Sequence, residues 1–234
     1  RRRAERQGHP RRRGRRARMI GQARIKVCGI TRAADAATAL AQGADFLGVN
    51  CWPGSPRCVP ATARPALLRE IPAAKRIAVT VNPSVAEATA LLAEGFALVQ
   101  AHFDPSKAEC DPKALSAALG PDHLWLAPKL ADGAEWPAEL IPLAVGFVHD
   151  AHAKDAFGGT GKTSDWGRCA RLRQRHPQAQ WLLAGGLGPD NIAAAAASGA
   201  DFFDLNSGIE LAPGLKSAEK LSAVVAALLK NTQS

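Results

Sequence analysis

The stretch Arg24-Ile25-Lys26-Val27-Cys28-Gly29-Ile30-Thr31 decides how this chain is read. A short β-rich run ends in a cysteine, and a glycine follows at once. That places a thiol at the C-terminal mouth of a strand, where a tight turn leads into a helix. In a parallel β/α barrel this mouth is where chemistry is done. A thiol there acts as a base or nucleophile once its pKa is lowered. A buried cysteine also packs simply as a small hydrophobe. The octapeptide alone leaves both readings open.

Outward from this stretch, apolar runs alternate with amphipathic segments along the chain. Strands are predicted at 24–28, 45–50, 76–81, 97–102, 124–127, 144–150, 180–184 and 201–205. Helices are predicted at 33–43, 61–70, 84–94, 112–119, 165–174, 189–198 and 217–229, with a short one near 137–141. Over residues 19–234 this makes eight strand–helix units of about 27 residues each, toward the short end for a (βα)8 barrel. The fold class is therefore α/β, a single-domain (βα)8 or TIM barrel. An open doubly wound sheet is the competing architecture, but nothing like GxGxxG follows the first strand. No linker divides residues 19–234.

Strand parity sharpens the picture, because alternate residues share a face. Lys26 and Cys28 lie opposite Ile25 and Val27. Gln100 and His102 lie opposite Val99. Gly146, Val148 and Asp150 lie opposite Phe147, and Phe202 and Asp204 lie opposite Phe203. With the apolar faces turned to the helices, the polar tips Cys28, His102, Asp150 and Asp204 are expected to converge over the barrel mouth. His149-Asp150-Ala151-His152 invites a metal reading, but parity turns His149 and Asp150 to opposite faces. No metal site is expected.

The formal charge of +9 suggests nucleic acid until it is located. Residues 1–18 hold ten arginines against Glu5, and residues 19–234 hold 20 basic and 20 acidic side chains. The charge describes a tail. That tail has no apolar periodicity and no aromatic residue, so it is expected to be disordered. It reads as a nucleic-acid arm, as a transit peptide lacking serines and an apolar face, or as a segment foreign to the protein. The last reading is preferred here, because Met19 is the only methionine and residues 19–234 begin there. Nucleic acid is then not an expected partner.

Five cysteines without a CxxC pair argue against a disulfide framework or a zinc site and for a reducing cytoplasm. No apolar run approaches the roughly 18 residues of a membrane span.

Two turns suggest an anion site. Ala184-Gly185-Gly186-Leu187 closes the seventh strand and Asp204-Leu205-Asn206-Ser207-Gly208 the eighth. Glycine-rich turns after strands seven and eight form the usual barrel phosphate cradle. Gly158-Gly159-Thr160-Gly161 lacks the P-loop lysine arrangement and reads as a loop closing over substrate. In Pro53-Gly54-Ser55-Pro56-Arg57, two prolines stiffen a loop that carries an arginine. Arginine suits bidentate recognition of a carboxylate, although a solvated loop arginine has the same spacing.

Together these motifs resemble the phosphoribosylanthranilate isomerase family of tryptophan biosynthesis. The family's K-[IV]-C-G-I-T is matched by Lys26 to Thr31, and its Pro-x-Ser-Pro-Arg by Pro53 to Arg57. Its Val-Asn-Pro is matched by Val81 to Pro83, and its G-G-T-G-K-x-x-D-W by Gly158 to Trp166 after Asp150-Ala151. Its A-G-G-L-x-P-x-N is matched by Ala184 to Asn191, and its S-G-[VI]-E-x-x-P-G-x-K by Ser207 to Lys216. The resemblance covers about residues 24–230.

It implies an Amadori rearrangement of an N-aryl phosphoribosylamine to the 1-amino-1-deoxyribulose phosphate. By resemblance Cys28 is the base and Asp150 the acid. Arg57 clamps the anthranilate carboxylate, and His102 and Asp204 contact the sugar. Gly185, Gly186, Asn206, Ser207 and Gly208 cradle the phosphate. Cys28 is expected to be thiolate-like, helped by Lys26 or a helix N-terminus. No cofactor is implied, and the partner is a small phosphorylated substrate, with the protein a monomer or homodimer. Three departures stand out: Phe103 for a glycine, Asn206 for a serine, and Asn50-Cys51-Trp52 for a more aromatic run. A sibling barrel of histidine or indole biosynthesis is the nearest alternative, but its paired aspartates or lysine-rich mouth are not seen. A catalytically silent barrel, or a nucleic-acid binder acting through its arm, is the alternative of another class.

Overall fold

A computed structural model describes residues 23–131, 134–150 and 166–231. The arginine-rich segment 1–18, Met19, His152 and the Gly158–Gly161 loop lie outside the described residues. Eight parallel strands close into a barrel in chain order, with the first pairing the last. They are β1 (Arg24–Val27), β2 (Phe46–Asn50), β3 (Arg76–Val81), β4 (Leu98–Phe103), β5 (Leu124–Pro128), β6 (Gly146–His149), β7 (Gln180–Leu183) and β8 (Phe202–Leu205). The outer helices are α1 (Ala33–Ala41), α2 (Arg64–Arg69), α3 (Val85–Ala93), α4 (Pro112–Leu119), α5 (Trp166–Arg175), α6 (Ile192–Ala197) and α7 (Ala218–Asn231). No described helix is long and apolar enough to cross a membrane.

Local chemistry accounts for the helix starts. Ser84 accepts from Glu87 N while the Glu87 side chain accepts from Ser84 N, a capping box that begins α3. Asp111 accepts from Lys113 N and Ala114 N, and Pro112 opens α4 at a position that needs no N–H donor. The helix predicted near 137–141 is instead a 3-10 segment, Ala138–Leu143. Pro142 lies inside it, and a proline there removes the donor that an α-helix requires.

The predicted parity holds. Ile25, Val27, Val99, Phe147 and Phe203 belong to the core between barrel and helices. Cys28, Val148 and Phe202 belong to a separate cluster inside the barrel. The floor of that interior is aromatic: Trp125 meets Phe46 and Phe202 edge-on, with centroids 5.1 and 5.7 Å apart. The Arg24 guanidinium lies 4.0 Å from the Phe202 centroid and donates to Gln180 Oε1, closing the bottom. The space above this floor is where polar groups collect.

A feature absent from the predicted elements follows β8. A 3-10 turn, Ser207–Ile209, leads into a hairpin of β9 (Glu210–Ala212) and β10 (Leu215–Lys216). Lys216 pairs across from Glu210. The turn contains Pro213-Gly214, and Thr31 Oγ1 donates to Gly214 O at 2.6 Å. The hairpin is thereby tied to the loop after β1.

Candidate active site

All parallel strands end at one rim, so the C-terminal tips of β1, β4, β6 and β8 share the mouth. Cys28 sits just past β1, buried, with its N–H donating to Leu205 O at 2.8 Å. His102 lies near the end of β4. Asp150 directly follows β6 and is half-buried. Asp204 lies deeper than predicted: in register beside Lys26, it accepts from Lys26 Nζ at 2.7 Å. Its other oxygen, Oδ1, is buried without a hydrogen-bond partner among the described residues. Asn206, beyond the strand end, is the β8-side residue that reaches the rim.

Gly29 shows how tightly the mouth is packed. It has φ +71°, a left-handed conformation that glycine adopts without penalty. A β-carbon there would lie 2.7 Å from Asn206 Oδ1, 2.8 Å from Arg57 Cδ and 3.3 Å from Lys216 Nζ. Three polar side chains, Arg57 from the loop after β2 and Asn206 and Lys216 from the segment after β8, therefore converge on the turn that carries Cys28. Glu210 joins them: Arg57 donates through Nε and Nη2, at 2.9 and 2.6 Å, and Lys216 Nζ donates at 2.7 Å. Lys216 Nζ also donates to Asn206 Oδ1 at 2.9 Å. Arg57 and Lys216 against Glu210 give this three-residue cluster a net charge of +1, which favours an anionic ligand.

The loops after β7 and β8 meet backbone to backbone. A β-carbon at Gly208 would come 2.1 Å from Leu187 O, so only glycine fits. Gly185 and Gly186 both have positive φ. The Asn191 side chain accepts from Gly188 N and donates to Gly186 O, which braces the loop. Gly186, Asn206, Ser207 and Gly208 are half-buried and Gly185 is buried. A short extra turn after the last strand is the usual setting for barrel phosphate binding.

The electrostatics correct one expectation. Burial raises the Cys28 pKa, and the pull of Lys26 and Lys216 offsets that only in part. The resting group is a thiol, not a thiolate, because desolvation of the charged form outweighs the nearby cations. His102 is lowered to about 3, by burial and then by the Lys26 charge, so its ring is neutral. Its Nε2 lies 2.8 Å from Gln100 Nε2; with the amide donating, the ring proton sits on Nδ1. Burial would raise Glu210, but hydrogen bonds from Arg57 and Lys216 bring it down to about 2.

These two depressed groups shape acid stability. The unfolded chain takes up the His102 proton near pH 6.5 and the Glu210 proton near 4.5, while the folded chain resists to about 3 and about 2. Stability from each is complete above its unfolded value and is lost as pH falls through the folded one. Urea unfolding midpoints are expected to decline below pH 6.5. His102→Asn should flatten the upper part of that decline and Glu210→Gln the lower part. Curves unchanged by both substitutions would contradict the assignment.

Residues 25–227 match the sequence profile of N-(5'-phosphoribosyl)anthranilate isomerase. An isomerase of that name from Magnetococcus marinus is 36% identical over 211 residues, covering 88% of this chain and 94% of the relative. The chain belongs to the phosphoribosylanthranilate isomerase family. A Bordetella petrii isomerase of the same name is 34% identical over 214 residues, covering 88% of this chain and 94% of that one. The crystal structure of the Thermus thermophilus phosphoribosyl anthranilate isomerase superposes with a TM-score of 0.73 at 30% identity, covering 88% of this chain and 98% of that one.

The departures from the family pattern are absorbed locally in this isomerase. Phe103 does not have positive φ; it extends β4, pairs with Pro128 and buries its ring in the core. The strain that a side chain incurs in a left-handed conformation is therefore absent there. Asn206 commits its carbonyl oxygen to Lys216, which leaves its amide N–H groups as donors. Asn50 Oδ1 accepts from Trp52 N at 2.9 Å, a local turn at the head of the Arg57 loop. Glu210 and Lys216 were legible as motif residues, but Glu210 was not legible as the shared partner of Arg57 and Lys216. Their signal was opposite charges flanking a Pro-Gly turn.

Proposed function

We propose that Cys28 and Asp150 carry the two proton transfers of this isomerase. The reaction is the family's Amadori rearrangement, a step of tryptophan biosynthesis, on N-(5'-phosphoribosyl)anthranilate. The observation that carries the assignment is the shared barrel mouth, with Arg57 packed over the Cys28–Gly29 turn.

In this reading the Asp150 carboxyl protonates the ribose ring oxygen. The C1–O bond breaks and the anilino nitrogen lone pair forms the C1=N bond. Cys28, as thiolate, takes the C2 proton, and those electrons form C1=C2 and neutralise the iminium. The resulting enol-amine tautomerises to the aminoketose. General acid–base groups of this kind need placement within hydrogen-bond reach of the reacting proton. Because Cys28 rests as a thiol, activity should rise with pH as it ionises.

Arg57 is assigned the substrate carboxylate. Glu210 occupies its Nε–Nη2 edge, which sets the guanidinium plane and leaves Nη1 to the incoming group. The neutral His102 ring and the Asp204 carboxylate are assigned the sugar. Gly185, Gly186, Asn206, Ser207 and Gly208 are assigned the phosphate. Five free thiols support a reducing, cytoplasmic setting.

The deciding assay is loss of phosphoribosylanthranilate fluorescence with purified protein; no change in fluorescence would reject the reading. Arg57→Ala should raise KM about 10–100-fold with a smaller change in kcat, as expected for loss of a charged hydrogen bond that acts alike on ground and transition states. A fall in kcat at unchanged KM would move Arg57 out of the clamp role.

A further inference from the structure

Lys26 is a charged residue inside the barrel to which the proton transfers above assign no part. It is fully buried, which is costly for a charge unless it is paired. Asp204 supplies that pairing at 2.7 Å, and a purely structural ion pair would need nothing more. The strand β2 shows a second contact. A β-carbon at Gly48 would lie 3.0 Å from Lys26 Cε and 3.1 Å from Cys28 Sγ. The end of the lysine chain and the cysteine sulfur thus bear on one point, in the space that a glycine leaves open.

Among the described residues, four charges bear on Cys28. Lys26 and Asp204 come from β1 and β8, Lys216 from β10, and Arg57 from the loop after β2. Arg57 and Lys216 are both engaged by Glu210. Lys26 approaches from beneath, away from solvent, and also bears on His102. Burial opposes its charge, but Asp204 and then Cys28 outweigh that, so it is held above the usual lysine range and stays an ammonium.

We propose that Lys26 is a positioning residue of the isomerase, holding the Cys28 sulfur at the mouth and supplying the positive charge against which its thiolate forms, with Asp204 fixing the ammonium. No bond to Lys26 forms or breaks. Cys28 gives its proton to solvent before it takes the C2 proton, and Lys26 keeps its own three protons throughout. The inference rests on Cys28 being the base.

The test follows alkylation of Cys28 by iodoacetamide against pH, read by mass spectrometry of the Cys28 peptide, beside the pH profile of kcat/KM. Lys26→Met removes the cation. Lys26→Met/Asp204→Asn removes both charges and leaves no orphaned carboxylate to impair folding. An opposite charge in near contact shifts a thiol by about one pH unit or more, about tenfold in thiolate at a given pH. The alkylation midpoint is expected to move up by that much in Lys26→Met, and up by less in the double variant, where the Asp204 charge that opposes the thiolate is lost as well. The rising limb of kcat/KM should move with it. A midpoint unmoved in a folded variant would overturn the inference while leaving Cys28 as the base. A midpoint that moves while the rate profile stays in place would keep the Lys26–Cys28 coupling and overturn Cys28 as the base.

Discussion

Cys28→Ser is expected to lower kcat by about 10²–10⁴-fold, the usual contribution of a positioned general base. The substitution preserves shape at a buried position. It replaces a thiol of ordinary pKa about 8.5 by a hydroxyl far too weakly acidic to ionise. KM should change little, because the two ends of the substrate are assigned to Arg57 and to the loops after β7 and β8. The affected step is removal of the C2 proton. With substrate deuterated at C2, the isotope effect on kcat should therefore be full in Cys28→Ser. A variant with near-parental kcat would return Cys28 to the role of a packed hydrophobe.

Asp150→Asn is expected to produce a loss of the same order by a different route. The amide keeps the size of the carboxyl but has no transferable proton, so ring opening slows, by about 10²–10⁴-fold. KM should again be nearly constant. Here proton removal at C2 is no longer limiting, and the C2 isotope effect should shrink toward unity. The two variants would thus be equally slow and kinetically opposite. Similar isotope effects in both would contradict the division of labour between acid and base.

Much of this protein is legible along the chain because its determinants are local. Period-two apolar runs, helical stretches, the Ser84–Glu87 box and the Asp111-Pro112 start each act over a few residues. The eight-unit barrel and the inward parity of Cys28, Val148 and Phe202 follow from these alone. The one element misjudged in type, residues 138–143, is a place where a local rule about proline outweighed amphipathic spacing.

The ordering of the charges belongs to the tertiary structure. Lys26 and Asp204 are 178 residues apart and meet only because β1 closes against β8. Arg57 and Glu210 are 153 residues apart and meet only because a hairpin folds back over the mouth. The protonation state of Cys28 is also decided there. Sequence shows a lysine two residues before the thiol and suggests a thiolate. The fold removes water from both, and desolvation, which no local pattern encodes, wins over the neighbouring charge.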